Sequence, residues 1–390
     1  MINNIKPEYD ARCARMKDVL NNRKPDNVPV VLNAQSWVMN YAGISVRKAF
    51  LEDSDALFQA YQKYLADVYN DALMDVSNTM PMNMATLLGE GLYVISDECV
   101  QIVGGRGEIM SSEEYPEFTK NPNDFIANVL TPRKFPIFTQ VFEKNVELLK
   151  NLYAAFVSWN RHNAEAVSRI EKEVGVPLFV NGSNYNPMDS ILDYFRDFVG
   201  ITKDIKRIPE ILFKACESLY SYIIEMFNDT APPALDDKLL FSPLHIPTYL
   251  NRRDFEKTYY PFMKKYVEEV NVKRGYAMYF FMENDWMPYI DFLQDLPKEA
   301  RLVLLFEHGD LRKIKEKIGA DFTIMGGMPI SLLNYGSKQD CLDKVKECID
   351  TLAPNGNYIF SFDKILMSLN EAKPENVIET AQFAHEYGKY

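Results

Sequence analysis

Short apolar runs recur along most of this chain, each followed by a polar or glycine-containing turn and then by a longer stretch with helical spacing. Eight such runs are legible: Val28–Leu32, Ala72–Val76, Leu178–Val180, Leu239–Leu244, Tyr276–Phe281, Arg301–Phe306, Phe322–Met325 and Tyr358–Phe360. Runs without polar alternation suit strands buried on both faces, and their interleaving with helices marks βα units around a parallel sheet. Helices are read over Ser54–Asn70, Ile137 to about Val174, Ile208–Asn228, Arg253–Lys273, Asp310–Ile318 and Gln339–Leu352. The long one carries Ile137, Val141, Phe142, Leu148, Leu149, Leu152, Tyr153, Phe156 and Val157 at spacings that put them on one helical face. Roughly 35 residues at about 1.5 Å each would make it about 50 Å long, enough to cross the outside of a barrel.

The stretch from Gly91 to Phe135 departs from this rhythm. It alternates and turns like a hairpin, so 91–135 is predicted to be an insertion after the second strand that covers one end of the barrel. Gly104-Gly105-Arg106-Gly107 inside it reads as a turn, because no helix N-terminus follows to hold a phosphate. No Gly/Ser/Pro linker divides the chain. The pattern predicts an α/β protein, a (β/α)8 TIM barrel filling residues 1–390 as one domain, with an N-terminal helical extension over 1–27. A doubly wound sheet is the alternative, without the GxGxxG that would follow its first strand.

A barrel of this kind gathers its chemistry at the carboxyl ends of its strands. Those positions hold Asn33, Gln35 and Trp37, then Asn78, then Asn184 and Tyr185, then His245. Glu283 and Asp285 follow the fifth run, Glu307 and His308 the sixth, Met328 the seventh, and Asp363 and Lys364 the eighth. Imidazoles and carboxylates can ligate zinc, act as general acid or base, or hydrogen-bond the loops they sit in, and spacing leaves all three readings open.

Charge and composition narrow the partners. With 43 Lys and Arg against 55 Asp and Glu, the net charge of −12 opposes a role tracking nucleic-acid phosphates. The 17 Met, 24 Phe and 23 Tyr suit either a large apolar cavity or an ordinary large core. Five cysteines without a CxxC argue against a disulfide framework and a zinc ribbon; Cys341 and Cys348, seven apart, are expected as core thiols on one helix face. The first twenty residues carry charges throughout and no membrane-length apolar run occurs, so a cytoplasmic protein without a membrane partner is expected.

A family likeness then emerges from order and spacing. PDNVPVVL, YAGISVRKAFLED, EEYPEFTKNPNDFIANVLTPRKFP, NPMDSILDYFRDFVG with RIPEIL, ENDWMPYIDFLQDLPK, MGGMPISLLNYGS and AKPENV together resemble the uroporphyrinogen decarboxylase superfamily. The nearest part is its branch of uroporphyrinogen-decarboxylase-like proteins associated with corrinoid-dependent methyl transfer. The resemblance implies a (β/α)8 barrel and a methyltransferase moving a methyl group between a small methylated substrate, a methyl ether or amine, and cobalamin carried by a partner corrinoid protein. On that reading His308, Glu307, Glu283 and Asp285 are the catalytic candidates, and Asn33, Gln35, Trp37, Asn78, Asn184, Tyr185, His245 and Met328 bind substrate. True decarboxylases of the family grip a many-carboxylate substrate with an N-terminal arginine motif; the corresponding VVLNAQSWVMNYAG has none. Zinc-binding methyltransferases of another branch use a His-x-Cys after the sixth strand and a Cys after the eighth, where this chain has Glu307-His308-Gly309-Asp310 and Ser361-Phe362-Asp363-Lys364. Any metal would therefore fall to His308 with Glu307 or Glu283. Barrels of this kind often pair, which leaves a homodimer open. Two other functions stay in play: a cofactor-free decarboxylase of a small carboxylic acid, anchored by Lys364 or Arg106, and a non-catalytic binding subunit.

Overall fold

The protein is described by a computed structural model covering residues 5–77, 81–88, 93–102 and 108–390. Its first two strands, β1 (Tyr93–Ile95) and β2 (Val100–Ile102), pair antiparallel as the expected hairpin after the second barrel position. Six parallel strands follow in spatial and chain order: β3 (Val180–Ser183), β4 (Leu239–Leu244), β5 (Ala277–Asp285), β6 (Leu302–His308), β7 (Thr323–Met328) and β8 (Tyr358–Phe362). Two extended segments close the ring. Val30 bridges Phe360 of β8, Leu73 bridges Leu178 just before β3, and the Asp71 N–H donates to the Val30 carbonyl at 2.7 Å.

These first two barrel positions are held by single bridges instead of ladders, for a chemical reason. Side chains of the second segment take the places of ladder carbonyls: Asp71 Oδ2 accepts the Val30 N–H at 2.8 Å, and Asn70 Oδ1 accepts the Leu32 N–H at 2.9 Å. Asp71 is fully buried and also receives the Arg15 guanidinium. Arg15 belongs to the N-terminal helix Ile5–Leu20, whose Met16, Val19 and Leu20 pack against the inward-facing residues of the strands. That inner set includes Val31, Phe179, Leu239, Ala277, Tyr279, Val303, Leu305, Met325 and Ile359. Alternate residues of the strands, such as Met278, Phe280 and Met282, face outward into the larger core shared with the helices.

The strands run further than their apolar runs indicate. Glu283 and Asp285 lie inside β5, and Glu307 and His308 inside β6, because after a register shift Asp285 still pairs with His308. The long helix is shorter than expected, Phe142–Arg169, continued by a π-turn over Ile170–Val174. Its predicted stripe is not a packed face: Leu152 is buried, while Val141, Phe142, Leu149, Tyr153, Phe156 and Val157 are exposed. The helix packs instead through Leu152, Trp159 and Ala166. After the hairpin, the segment from 108 to 135 folds into short helical turns. Cys341 and Cys348 are both buried on the helix Lys338–Leu352, as expected of core thiols.

Candidate functional site

Strand alternation puts Phe241, Pro243 and His245 of β4 and its following residue on the same side as Tyr279, Phe281 and Glu283 of β5. They line a cavity of about 340 Å³ at the carboxyl ends of the strands, together with Asn33, Gln35, Met74, Asp75, Val180, Tyr185, Asp193, Tyr194, Ile365 and Met367. The hairpin contributes Val100 to its wall. No Lys or Arg lines it among the described residues.

His245 is the electrostatic centre. Its Nδ1 lies 2.9 Å from Asp193 Oδ2, and its Nε2 lies 3.3 Å from Glu283 Oε1. Asp193 reaches it from the π-turn Leu192–Arg196, which follows the short helix Pro187–Ile191. From the same short helix the fully buried Asp189 accepts the backbone N–H groups of His245 and Ile246 at 3.1 and 2.9 Å, and the Tyr259 hydroxyl at 2.6 Å. These bonds fix the backbone that carries the imidazole. Burial by itself would pull the imidazole down, but the Asp193 hydrogen bond and the nearby Asp189 and Glu283 carboxyls outweigh it and lift His245 to about 9. Burial raises Glu283, and the His245 charge partly offsets that.

A stability prediction follows from the direction of the His245 shift. A folded-state value of about 9, above the ordinary 6.5, means that the pairing contributes fully below pH 6.5 and is lost as pH rises through 9. The wild type should lose on the order of 2–3 kcal/mol of unfolding free energy between pH 6.5 and 9.5. In His245→Gln this decline should flatten, as read by urea denaturation at the two pH values; an unchanged slope in the variant would contradict the pairing.

A second polar pole lies on the same cavity. Asp75 is bonded by Gln35 and pushed up to about 7 by burial. Tyr279 is 1% exposed, and its hydroxyl has no hydrogen-bond partner among the described residues.

The expected site residues are thus distributed over several places. Asn33, Gln35, Tyr185, His245 and Glu283 line the barrel cavity. Glu307 and His308 line a different cavity of about 500 Å³, between β6, β7 and the helix Lys338–Leu352. Glu307 pairs with Lys364 at 2.5 Å and accepts the Asn284 N–H at 2.6 Å, while the half-exposed His308 stands 3.9 Å from Glu307. Asp285 is exposed and accepts the Met287 N–H. Trp37 is fully buried, stacked on Tyr41 with its Nε1 toward the Ala372 carbonyl, and Met328 is a core residue. Asn184 is buried just after β3, with neither side-chain amide atom hydrogen-bonded among the described residues. Asn78 and Arg106 lie outside the described residues. Asp75 and Asp193 are the functional candidates that strand-end reasoning passed over. Asp75 was readable as a lone acid inside an apolar run, Ala72-Leu73-Met74-Asp75-Val76.

The donor set does not suit a zinc ion. Among the described residues no cysteine lines the cavity, and no three His, Cys, Asp or Glu side chains are grouped so as to hold a metal.

Comparison with known proteins places this geometry. A methyltransferase from Methanosarcina mazei superposes with a TM-score of 0.63 at 12% identity, covering 96% of this chain and 98% of its own, which shows a shared fold. A uronate isomerase from Bacillus halodurans aligns over 97% of this chain and 88% of its own at 10% identity, with a TM-score of only 0.29. No curated protein matches the sequence. The uroporphyrinogen decarboxylase (URO-D) family matches residues 130–387, which span β3 to β8 and both His245 and Glu283. With that match over more than half its length and the barrel described above, the chain belongs to the uroporphyrinogen decarboxylase (URO-D) family.

Proposed function

We propose that this protein is a methyltransferase that takes a methyl group from a small methylated compound, an ether or an amine, and passes it to the corrinoid of a partner protein docked over the barrel mouth. The observation that carries the reading is the composition of the cavity: a largely apolar, ring-lined pocket with one imidazole clasped by two carboxyls and, among the described residues, no Lys or Arg. Such a pocket cannot anchor a many-carboxylate tetrapyrrole, but it encloses a small molecule and keeps water from the reacting carbon. Methyl transfer needs alignment and a leaving heteroatom that does not depart as an anion. His245 carries a proton for an ether oxygen; Asp193 and Glu283 keep an amine nitrogen in its charged form. The corrinoid, when docked, supplies the electron pair that takes the methyl group.

The rim supports a partner at that end. Phe198 and Tyr249, which follow β3 and β4, stack edge-to-face at 4.7 Å while remaining exposed, and Tyr335, after β7, is 84% exposed. The decarboxylase reading is less well served. Lys364 is engaged by Glu307 and does not line the cavity, so no basic side chain of the described residues is placed to hold a substrate carboxylate there.

The reading is tested by mixing the protein with a reduced corrinoid protein and a panel of methyl ethers and methylated amines, and following the absorbance change of the corrinoid on methylation. Transfer from at least one member, dependent on this protein, is expected. No transfer from any member would overturn the proposal.

A further inference from the structure

We infer that the barrel cavity is a receptor for a methylated ammonium cation, with Asp75 as its counter-ion and the paired rings of Phe241 with Tyr279 and of Tyr185 with Tyr194 as its walls. As a statement about the substrate, this rests on the methyl-transfer reading above; as a statement about binding, it stands on the cavity alone.

Charge comes first. The lining holds three carboxyls, Asp75, Asp193 and Glu283, against a single imidazole, and no Lys or Arg among the described residues. His245 already sits between two of those carboxyls. Asp75 is hydrogen-bonded by the neutral amide of Gln35, and no cation is paired with it among the described residues. A ligand that is itself an acid would add a negative charge to this set, and a neutral one would leave Asp75 without a counter-charge. A cation answers both.

Ring geometry and hydrogen bonding point the same way. Phe241 and Tyr279 lie with centroids 5.4 Å apart, and Tyr185 and Tyr194 with centroids 6.0 Å apart, so that two pairs of rings border one small cavity. Aromatic faces attract quaternary ammonium groups, which have no N–H and ask for no hydrogen-bond acceptor of fixed geometry. The Tyr279 hydroxyl is buried without a hydrogen-bond partner among the described residues, and Tyr279 lines the same cavity as Asp75. The volume of about 340 Å³ admits a trimethylammonium group with a short polar tail.

Such a substrate also simplifies the chemistry. The C–N bond breaks with its electron pair remaining on nitrogen, which leaves as a neutral amine. The methyl group moves as a formal cation, and its new bond is made with the electron pair of a Co(I) corrinoid, so no proton is consumed.

Binding should depend on pH. The titratable groups facing Asp75 are Tyr61, whose hydroxyl donates to the Asp75 carbonyl, and Tyr279, with His245, Asp193 and Glu283 elsewhere on the cavity wall. Asp75 is held up to about 7 by burial without a counter-charge. A bound cation favours its ionised form, so a proton is released on binding and affinity rises with pH up to the neighbourhood of 7 and then levels.

The test is calorimetric titration of the whole protein with choline and with its uncharged isostere, in which a quaternary carbon replaces the nitrogen. Choline is expected to bind at least tenfold more tightly than the isostere, with Kd falling about tenfold from pH 6 to pH 8. Asp75→Asn should weaken choline binding at least tenfold and abolish the pH dependence. Phe241→Leu should weaken choline and leave the isostere unchanged, a readout independent of the carboxyl. Equal affinity for choline and the isostere, or binding of neither, overturns the inference. Corrinoid methylation assayed in parallel separates the two claims: transfer from an ether with no binding of choline overturns the inference and leaves the methyl-transfer function, whereas choline binding with no transfer from any donor overturns that function and leaves the cation site.

Discussion

Asp71→Ala is expected to destabilise the protein by about 3–5 kcal/mol, the range for breaking a buried ion pair by removing one partner. Asp71 has no exposed surface and serves three donors at once: the Arg15 guanidinium, the Tyr69 hydroxyl at 2.8 Å and the Val30 N–H at 2.8 Å. Arg15 keeps the neutral Tyr69 hydroxyl at 3.4 Å and Asp26, which is 69% exposed at its side chain, so its charge is left mostly unanswered inside the protein. The loss also strikes the place where the barrel has no ladder to fall back on. Asp71→Asn retains the shape and one acceptor and should cost roughly half as much. In urea the midpoint should fall while the slope stays that of the wild type. A shift equivalent to less than about 1 kcal/mol would mean that Asp71 does not close the seam between the first two barrel positions.

Asp75→Asn, four residues further along the same segment, should act in the opposite direction. The folded-state value of about 7 lies above the ordinary 3.8, so the neutral carboxyl's contribution is complete below 3.8 and is lost as pH rises through 7. At pH 8 the folded wild type therefore carries an ionised, buried carboxylate at a cost of roughly 3–4 kcal/mol. Asparagine mimics the neutral acid and removes that cost, so the variant should be the more stable of the two at pH 8 and level with the wild type near pH 4. Equal stabilities at both values would show that Asp75 is already compensated. A residue that weakens the empty fold and is relieved by its ligand is an arrangement expected at functional sites.

These two acids also show what could be read in advance. The apolar runs of β4 to β8 were legible because a parallel strand covered on both faces leaves little room for polar residues. The barrel rule then led to Glu283 and His245. It could not separate them from Glu307 and His308, since strand-end position says nothing of which way the last residues turn. Alternation alone does not decide it: Glu307 has the parity of the inward Val303 and Leu305 but is drawn to Lys364 and the Asn284 N–H, and with His308 it borders the neighbouring cavity, whereas His245 and Glu283 line the barrel cavity. Asp193 was hidden because it lies well past the end of β3 in a helical pattern, and only the π-turn over Leu192–Arg196 brings it back to His245. The exposed stripe of the long helix shows the converse, a regular apolar period without a packed face behind it.

The single-bridge closure of the ring has a consequence for biosynthesis. The Val28–Leu32 segment leaves the ribosome about 330 residues before Phe360, the partner that Val30 must find. The nascent chain must therefore carry this apolar segment without its β8 partner through that whole stretch of elongation, the kind of exposure that chaperones exist to shield. A message truncated ahead of β8 would yield a chain that keeps β3 to β7 but leaves β7 and the Val28–Leu32 segment as edges open to foreign strands.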